Sequence, residues 1–241
     1  MKIFHDPDAF DPNRDSKMPV RRGPVWLLLR ANVVFFSLIL SSHPADAWTW
    51  VRSMRARRRP LSMAIPWLTF GAIRKIRQLL PKQAQVFEFG SGHSTRYWIE
   101  HGAHLTSVED DAGWYELLGK DLAARRLRGY SLIHAPTLEQ YLGALDGIEH
   151  ESQDLILVDG AHRRNCVSAA VPYVKPGGLL VVDNTDWHWF RDYPIEGIPS
   201  RWKKHAFPGY GPMIGHSSET TIWQRPSEDV EFAQRPVSSG Q

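Results

Sequence analysis

An α/β fold with a largely parallel sheet is predicted by three observations. Apolar runs rich in β-branched residues recur from residue 86 to residue 187, as VFEFGSGHST, LTSVEDD, DLILVDGAHR and GGLLVVDNTDW, and each ends in glycine or in acidic and amide side chains. Helical patterns such as TRYWIEHG and GWYELLGKDLAARRL separate the runs, a spacing that calls for right-handed crossovers and therefore parallel neighbours. The runs are continuously apolar, as in strands covered on both faces. The edge where such strands end is where open α/β sheets bind ligands.

The elements follow in order. Residues 1–24 are rich in Asp, Pro and Arg without periodicity and read as a mobile arm. From Val25 to Leu40, 13 of 16 residues are apolar, bracketed by Pro24 and Pro44, which predicts a helix. A bilayer span needs about 20 apolar residues, and Arg30 and Asn32 interrupt this run, so a packed or interfacial amphipathic helix is the first reading and a membrane anchor the second. Arg21 and Arg22 before the run and Ala45-Asp46-Ala47 after it imitate a cleaved signal, but the run starts late in the chain. From Leu61 the chain reads as a compact domain, and MAIPWLTFGAIRKIRQLL spaces Ile65, Leu68, Ile73, Ile76 and Leu80 near the helical period, with Pro81 as a stop. Strands are expected at 85–89, 104–109, 130–134, 154–158, 178–183 and 219–225, and the tail after Pro226 is polar. The resulting division is 1–60, an N-terminal arm and helical segment, 61–225, one α/β domain, and 226–241, a polar tail.

Charge is uneven along the chain. Residues 1–82 hold 15 Lys/Arg against 5 Asp/Glu, a net of +10, while residues 83–241 hold 14 against 21, a net of −7. Arg52, Arg55, Arg57, Arg58 and Arg59 form the densest group, beside the apolar helix, and suit an anionic membrane surface through residues 25–59 or simply a solvated face. No aromatic-interleaved basic stripe or recognition motif accompanies them, so no nucleic-acid partner is expected. The single cysteine, Cys166, reads as a core residue of a reducing compartment, and no Cys/His cluster points to zinc or iron-sulfur binding. A cytoplasmic protein with membrane association is the expected localisation.

Two groups of polar residues sit at the strand ends. Gly90, Ser91 and Gly92 turn the first strand into a helix near Thr95, and glycines there let backbone approach a ligand; a plain tight turn has the same sequence. Glu109, 17 residues after Gly92, ends the second strand where a carboxylate accepts bonds from ribose hydroxyls, and Glu88 suits a cationic amine, so an adenosine bearing an amino acid fits better than a dinucleotide. Asp159 ends the fourth strand and Asp183 with Asn184 the fifth. If those strands are neighbours, their three oxygens make a hard-donor site for Mg²⁺ or a similar ion; a turn and a helix cap are the alternatives.

Over residues 64–225 these features resemble the class I S-adenosylmethionine-dependent methyltransferases. ExGxG, here Glu88-Phe89-Gly90-Ser91-Gly92, is similar to that family's cofactor loop, and Glu109 takes its ribose-acid position. The resemblance implies a Rossmann-like, doubly wound sheet of seven strands, mostly parallel with an antiparallel last strand, plus the N-terminal helical extension. Asp159, Asp183 and Asn184 in VDG and VDNTDW further resemble the cation-dependent O-methyltransferases of the catechol and caffeoyl-coenzyme A type. The resemblance puts His162 at those enzymes' general-base position, with Asp159 beside it. It implies O-methylation of a small-molecule hydroxyl assisted by a divalent cation. Trp187, Trp189, Phe190, Tyr193, Trp202, Phe207 and Tyr210 follow and are expected to wall a pocket for a sugar or aromatic acceptor, or to pack as a lid. The rival readings are a metal-independent methyltransferase acting on N, C or carboxylate, a non-catalytic membrane-associated binding protein, and a nicotinamide oxidoreductase.

Overall fold

The computed structural model describes residues 24–56, 61–192 and 195–227; the N-terminal arm, Arg57, Arg58, Arg59, Tyr193 and the tail from residue 228 lie outside the described residues. Chain order is α1 (Pro24–Ile39), α2 (Ala45–Ala56), α3 (Phe70–Leu79), β1 (Gln85–Phe89), α4 (His93–Glu100), β2 (His104–Glu109), α5 (Ala112–Ala124), β3 (Tyr130–His134), α6 (Leu138–Gly143), β4 (Gln153–Val158), α7 (Arg163–Ala170), β5 (Val174–Asp183), α8 (His188–Arg191), β6 (Lys203–Gly209) and β7 (Ser218–Gln224). One seven-stranded sheet has the order β3-β2-β1-β4-β5-β7-β6. β1 to β5 pair in parallel, and β7 runs antiparallel to both β5 and β6. The winding reverses between β1 and β4, so a crevice opens at their C-terminal ends.

Each face of the sheet has its own core. Val86, Leu105, Leu155, Leu157, Val181 and Ile222 pack under the helices of the N-terminal half, against Ile73, Ile76, Trp98, Leu118 and Leu122. Phe87, Phe89, Ile156, Val158, Leu180 and Val182 pack on the other face with Tyr141, Cys166 and Val167. Cys166 is fully buried, as its expected core role requires.

Three expectations about elements need correction. The helical spacing expected from Ile65 becomes a helix only at Phe70, because Pro66 disfavours helical torsions at Ile65. α4 starts at His93, two residues before Thr95. β6 has no strand signal in its local pattern, since KKHAFPG carries Pro208 and Gly209 and exposes both lysines; these are marks of an edge strand, and among the described residues β7 is its only partner.

The N-terminal helices share the first core. Val34 and Leu38 of α1 and Ala47 and Trp50 of α2 are buried in the same cluster as Leu68, Ile73 and Trp98. Trp50 Nε1 donates to the carbonyl of Ile214 (2.8 Å), the Met213 amide donates to Ser53 Oγ (2.8 Å), and Arg74 pairs with Asp46. Among the described residues no helix is long and apolar enough to cross a membrane. At 16 residues α1 is about 24 Å long, against a hydrocarbon core of about 30 Å.

Candidate cofactor and acceptor site

The turn after β1 is packed backbone to backbone against the turn after β4. Gly90 has φ +92°, and a Cβ there would stand 2.4 Å from Gly160 Cα; one on Gly160 would stand 2.2 Å from the Tyr141 hydroxyl. Neither position admits a side chain. Gly92 differs: its φ of 165° is extended backbone, and a Cβ would meet nothing nearer than the Trp114 indole at 3.8 Å. Neither torsion nor protein packing requires glycine at 92, and the residue lines a cavity of about 1140 Å³ at the switch point.

Two carboxylates hold this loop from different sides. Glu88 is fully buried, and its Oε2 accepts from Thr95 Oγ1 (2.5 Å) and Ser107 Oγ (2.9 Å), while Thr95 Oγ1 accepts from the Gly92 amide (2.7 Å). Glu88 therefore reaches the loop through Thr95 and does not itself line the cavity, unlike the direct amine contact expected of it. Its Oε1 is buried with no hydrogen-bond partner among the described residues, and burial pushes its pKa up to about 7. Glu109 does line the cavity. Its Oε2 accepts from the Ser91 amide (3.0 Å) and Ser91 Oγ (2.6 Å), and its Oε1 from the Asp111 amide (3.1 Å). Burial raises its pKa and the Ser91 bonds pull it back.

Asp159, Asp183 and Asn184 meet as expected, because β4 and β5 are parallel neighbours, but a cation from the chain already occupies their oxygens. Arg163 Nε donates to the Gly160 carbonyl (2.9 Å); one terminal nitrogen donates to the Asp183 carbonyl and Asn184 Oδ1 (2.8 Å each), and the other to the Asp159 carbonyl (2.9 Å) and Oδ1 (3.0 Å). All five guanidinium N–H groups are spent. Asn184 Nδ2 donates to Ser218 Oγ (2.8 Å), and Asp183 Oδ1 accepts from Thr220 Oγ1 (2.5 Å). The trio therefore does not fit a divalent ion in this arrangement, since Arg163 takes the Asn184 amide oxygen and one Asp159 oxygen. Among the described residues no three His, Cys, Asp or Glu side chains gather as a metal site. Arg163 is equally unavailable to an anionic substrate. Burial raises the pKa of both aspartates; Arg163 opposes the rise at Asp159, and the charge of Asp159 adds to it at Asp183.

His162 is placed apart from the cavity. It is the N-cap of α7 at a left-handed φ of 53°, its ring edge-on to Tyr141 at 6.0 Å, and it is not among the cavity-lining residues, whereas Asp159 is. Of the expected aromatic wall, Trp187 alone among the described residues lines the cavity; Phe190 and Trp202 are buried in the second core, Phe207 and Tyr210 pack on the first, and Tyr193 and the Trp189 side chain lie outside the described residues.

Sequence reasoning missed much of the wall. α1 and α2 contribute Arg30, Ala31, Val34, Trp50 and Met54, and the 213–216 loop closes another side. His93 lies between Trp67 (stacked, 4.9 Å) and Trp114 (6.3 Å) and accepts from the Leu61 amide (3.3 Å); burial, then Arg96, pushes its pKa down to about 4, so it is neutral. The Trp114 indole donates to the Ser91 carbonyl (2.9 Å). Only the Trp and His content signalled these residues, without a spacing to place them.

Comparison with known proteins agrees with this fold. Residues 87–185, from β1 to just past β5, match the model of a family described as a methyltransferase domain. Among solved structures, the chain is similar to "a putative O-methyltransferase from Klebsiella pneumoniae" (18% identity, TM-score 0.57, 84% of this chain and 100% of that one). It is similar too to a methyltransferase from Pyrococcus furiosus (12% identity, TM-score 0.51, 76% and 98%) and to a "putative rRNA-methylase" from Clostridium thermocellum (10%, 0.52, 68% and 99%). No curated protein sequence matches. The fold is thus the Rossmann-like methyltransferase fold, and it does not select an acceptor.

Proposed function

We propose that the chain is an S-adenosylmethionine-dependent methyltransferase that modifies a hydroxyl oxygen of a ring-bearing small molecule, a sugar or an aromatic, without a divalent ion. The observation that carries this reading is the cavity in which the Gly90–Gly92 loop and Glu109 face Asp159 across the switch point. The residues fit the cofactor: Gly92 leaves space that nothing in the protein requires, Glu109 is an acceptor on the wall, and the cavity exceeds the roughly 300–1000 Å³ of an ordinary ligand pocket, leaving room for a second molecule. When bound, the cofactor supplies an electrophilic methyl group on a sulfonium, whose sulfur keeps the bonding electron pair as the methyl leaves.

The chain's own residues do the rest. Glu109 takes the ribose hydroxyls, and Glu88 fixes the loop through Thr95. Asp159 is the base: Arg163 holds its Oδ1, leaving Oδ2 to receive the hydroxyl proton as the oxygen forms its new bond to carbon. Trp67, Trp114 and Trp187 offer flat faces to a ring and exclude water. In this scheme Arg163 supplies the positive charge that an ion supplies in cation-dependent enzymes, and His162 takes no part in the reaction.

Calorimetry with S-adenosylmethionine, followed by transfer of labelled methyl to a panel of sugar and phenolic hydroxyl compounds, each with and without chelator, tests the reading. Binding and transfer unchanged by chelator are expected. Absence of cofactor binding defeats the proposal, and transfer that chelator abolishes and Mg²⁺ restores would return the ion to the mechanism.

A further inference from the structure

We propose that the α1–α2 hairpin docks the protein on an anionic lipid surface. In α1, Leu29, Val33 and Phe36, continued by Leu40 one residue past its end, recur at spacings of four, three and four and are 57–84% exposed. The opposite side of the same helix buries Val34 and Leu38. A helix on a protein surface ordinarily turns a polar face outward; on the outer side of α1 Asn32 and Ser37 only flank the apolar stripe, which is built for a second apolar medium. On α2, Trp48 is exposed, and Arg52 and Arg55 follow at i+4 and i+7 on the same face, both exposed. Phe35 meets Trp48 edge-on at 5.9 Å and brings the two stripes side by side.

Charge chooses lipid as the occupant. Besides Arg30, which lines the cavity, residues 21–59 hold seven arginines and one acid, Asp46, a net of +6, and Asp46 is already paired with Arg74. A second copy of the chain would press the same positive residues together. An anionic bilayer offers negative headgroups to the arginines, a headgroup-level place for the Trp48 ring, and hydrocarbon to the leucine, valine and phenylalanine stripe. α1 is too short to span, so it lies in the plane of the interface. Arg30, Ala31 and Val34 of α1 and Trp50 and Met54 of α2 line the cavity from the other side of the hairpin, which sets the cavity about one helix diameter, roughly 10 Å, from the lipid.

Cosedimentation of the full chain with phosphatidylcholine vesicles, alone or carrying one quarter phosphatidylglycerol, tests this. Binding only to the anionic vesicles, weakened by 0.5 M NaCl, is expected. Replacing Arg52 and Arg55 together by Gln should weaken partitioning about thirty-fold. Val33→Ser with Phe36→Ser should abolish it while S-adenosylmethionine binding and thermal unfolding stay as in the wild type. Quenching by brominated lipid that is lost in Trp48→Phe gives a second readout should the apolar double variant not fold. The proposal is overturned if anionic vesicles leave the protein in the supernatant, if the serine variant binds like the wild type, or if Trp48 is not quenched. A dimer in analytical ultracentrifugation that Phe36→Ser dissolves would assign the face to a second copy instead.

Discussion

Two regions meet at the cavity, and they are built from different materials. At the ends of β1 and β2 the wall is backbone: Gly90 packed on Gly160, Gly92 open, and carboxylates that brace the loop by accepting from its amides and hydroxyls. At the ends of β4 and β5 it is side chain: one guanidinium satisfied by five oxygens, two of them from Asp159 and Asn184 side chains. The first region withholds atoms to make room for a ligand, and the second fills its own electrostatic need from within. Closeness of acidic residues at a sheet edge is thus not enough to predict a metal; what counts is whether their charge is already answered.

The largest expected effect tests that answer. Arg163→Leu leaves buried carboxylates uncompensated and should cost about 3–5 kcal/mol in urea unfolding. Millimolar Mg²⁺ should then raise the melting temperature of the variant and not of the wild type; an equal response from both would erase the distinction between the two regions. Next, Gly90→Ala should cost about 3 kcal/mol, from overpacking against Gly160 and the positive φ. Gly92→Ala should change stability by less than about 1 kcal/mol yet weaken S-adenosylmethionine binding about tenfold by calorimetry, the paired outcome that separates a packing glycine from a ligand glycine.

Glu88 supplies a test of similar size that depends on pH. Its carboxyl is held at about 7, against an ordinary 4.5, so between those values it is protonated in the folded chain and ionised in the unfolded one. Its contribution is complete below pH 4.5 and is lost as pH rises through 7, about 3 kcal/mol in all. Denaturation between pH 4.5 and 8 should show that fall in the wild type and a flatter curve in Glu88→Gln. The smallest effect is expected at His162, where alanine should change the turnover number by less than about threefold; a loss of a hundredfold would move the base from Asp159 to the histidine.

The parts legible in the sequence are those whose signals are local. β1 and β2 carry apolar runs that end in glycine or acid, and their limits in the structure, like those of β3, are those expected from the sequence. β6 has no such run, and among the described residues it pairs only with β7, a strand that follows it in the chain. Arg163 was opaque because three of its five acceptors are main-chain carbonyls, which any sequence provides. The place of His162 outside the cavity lining was not legible, because a single left-handed residue at the start of α7 is a turn geometry that residue type alone does not encode. The cavity's outer wall was hidden by distance along the chain, since Trp50 bonds to a carbonyl 164 residues away.

That last bond has a practical consequence for anyone shortening the protein. Starting the polypeptide at Leu61 would look like trimming a leader, yet it would take away the acceptor of the Met213 amide and the donor to the Ile214 carbonyl, and would uncover apolar helix surface on the sheet's first face. The trimmed molecule would lose one side of its cavity along with the two fastenings of a second, so the first helices belong to the cavity wall in the same sense as the glycine turn does.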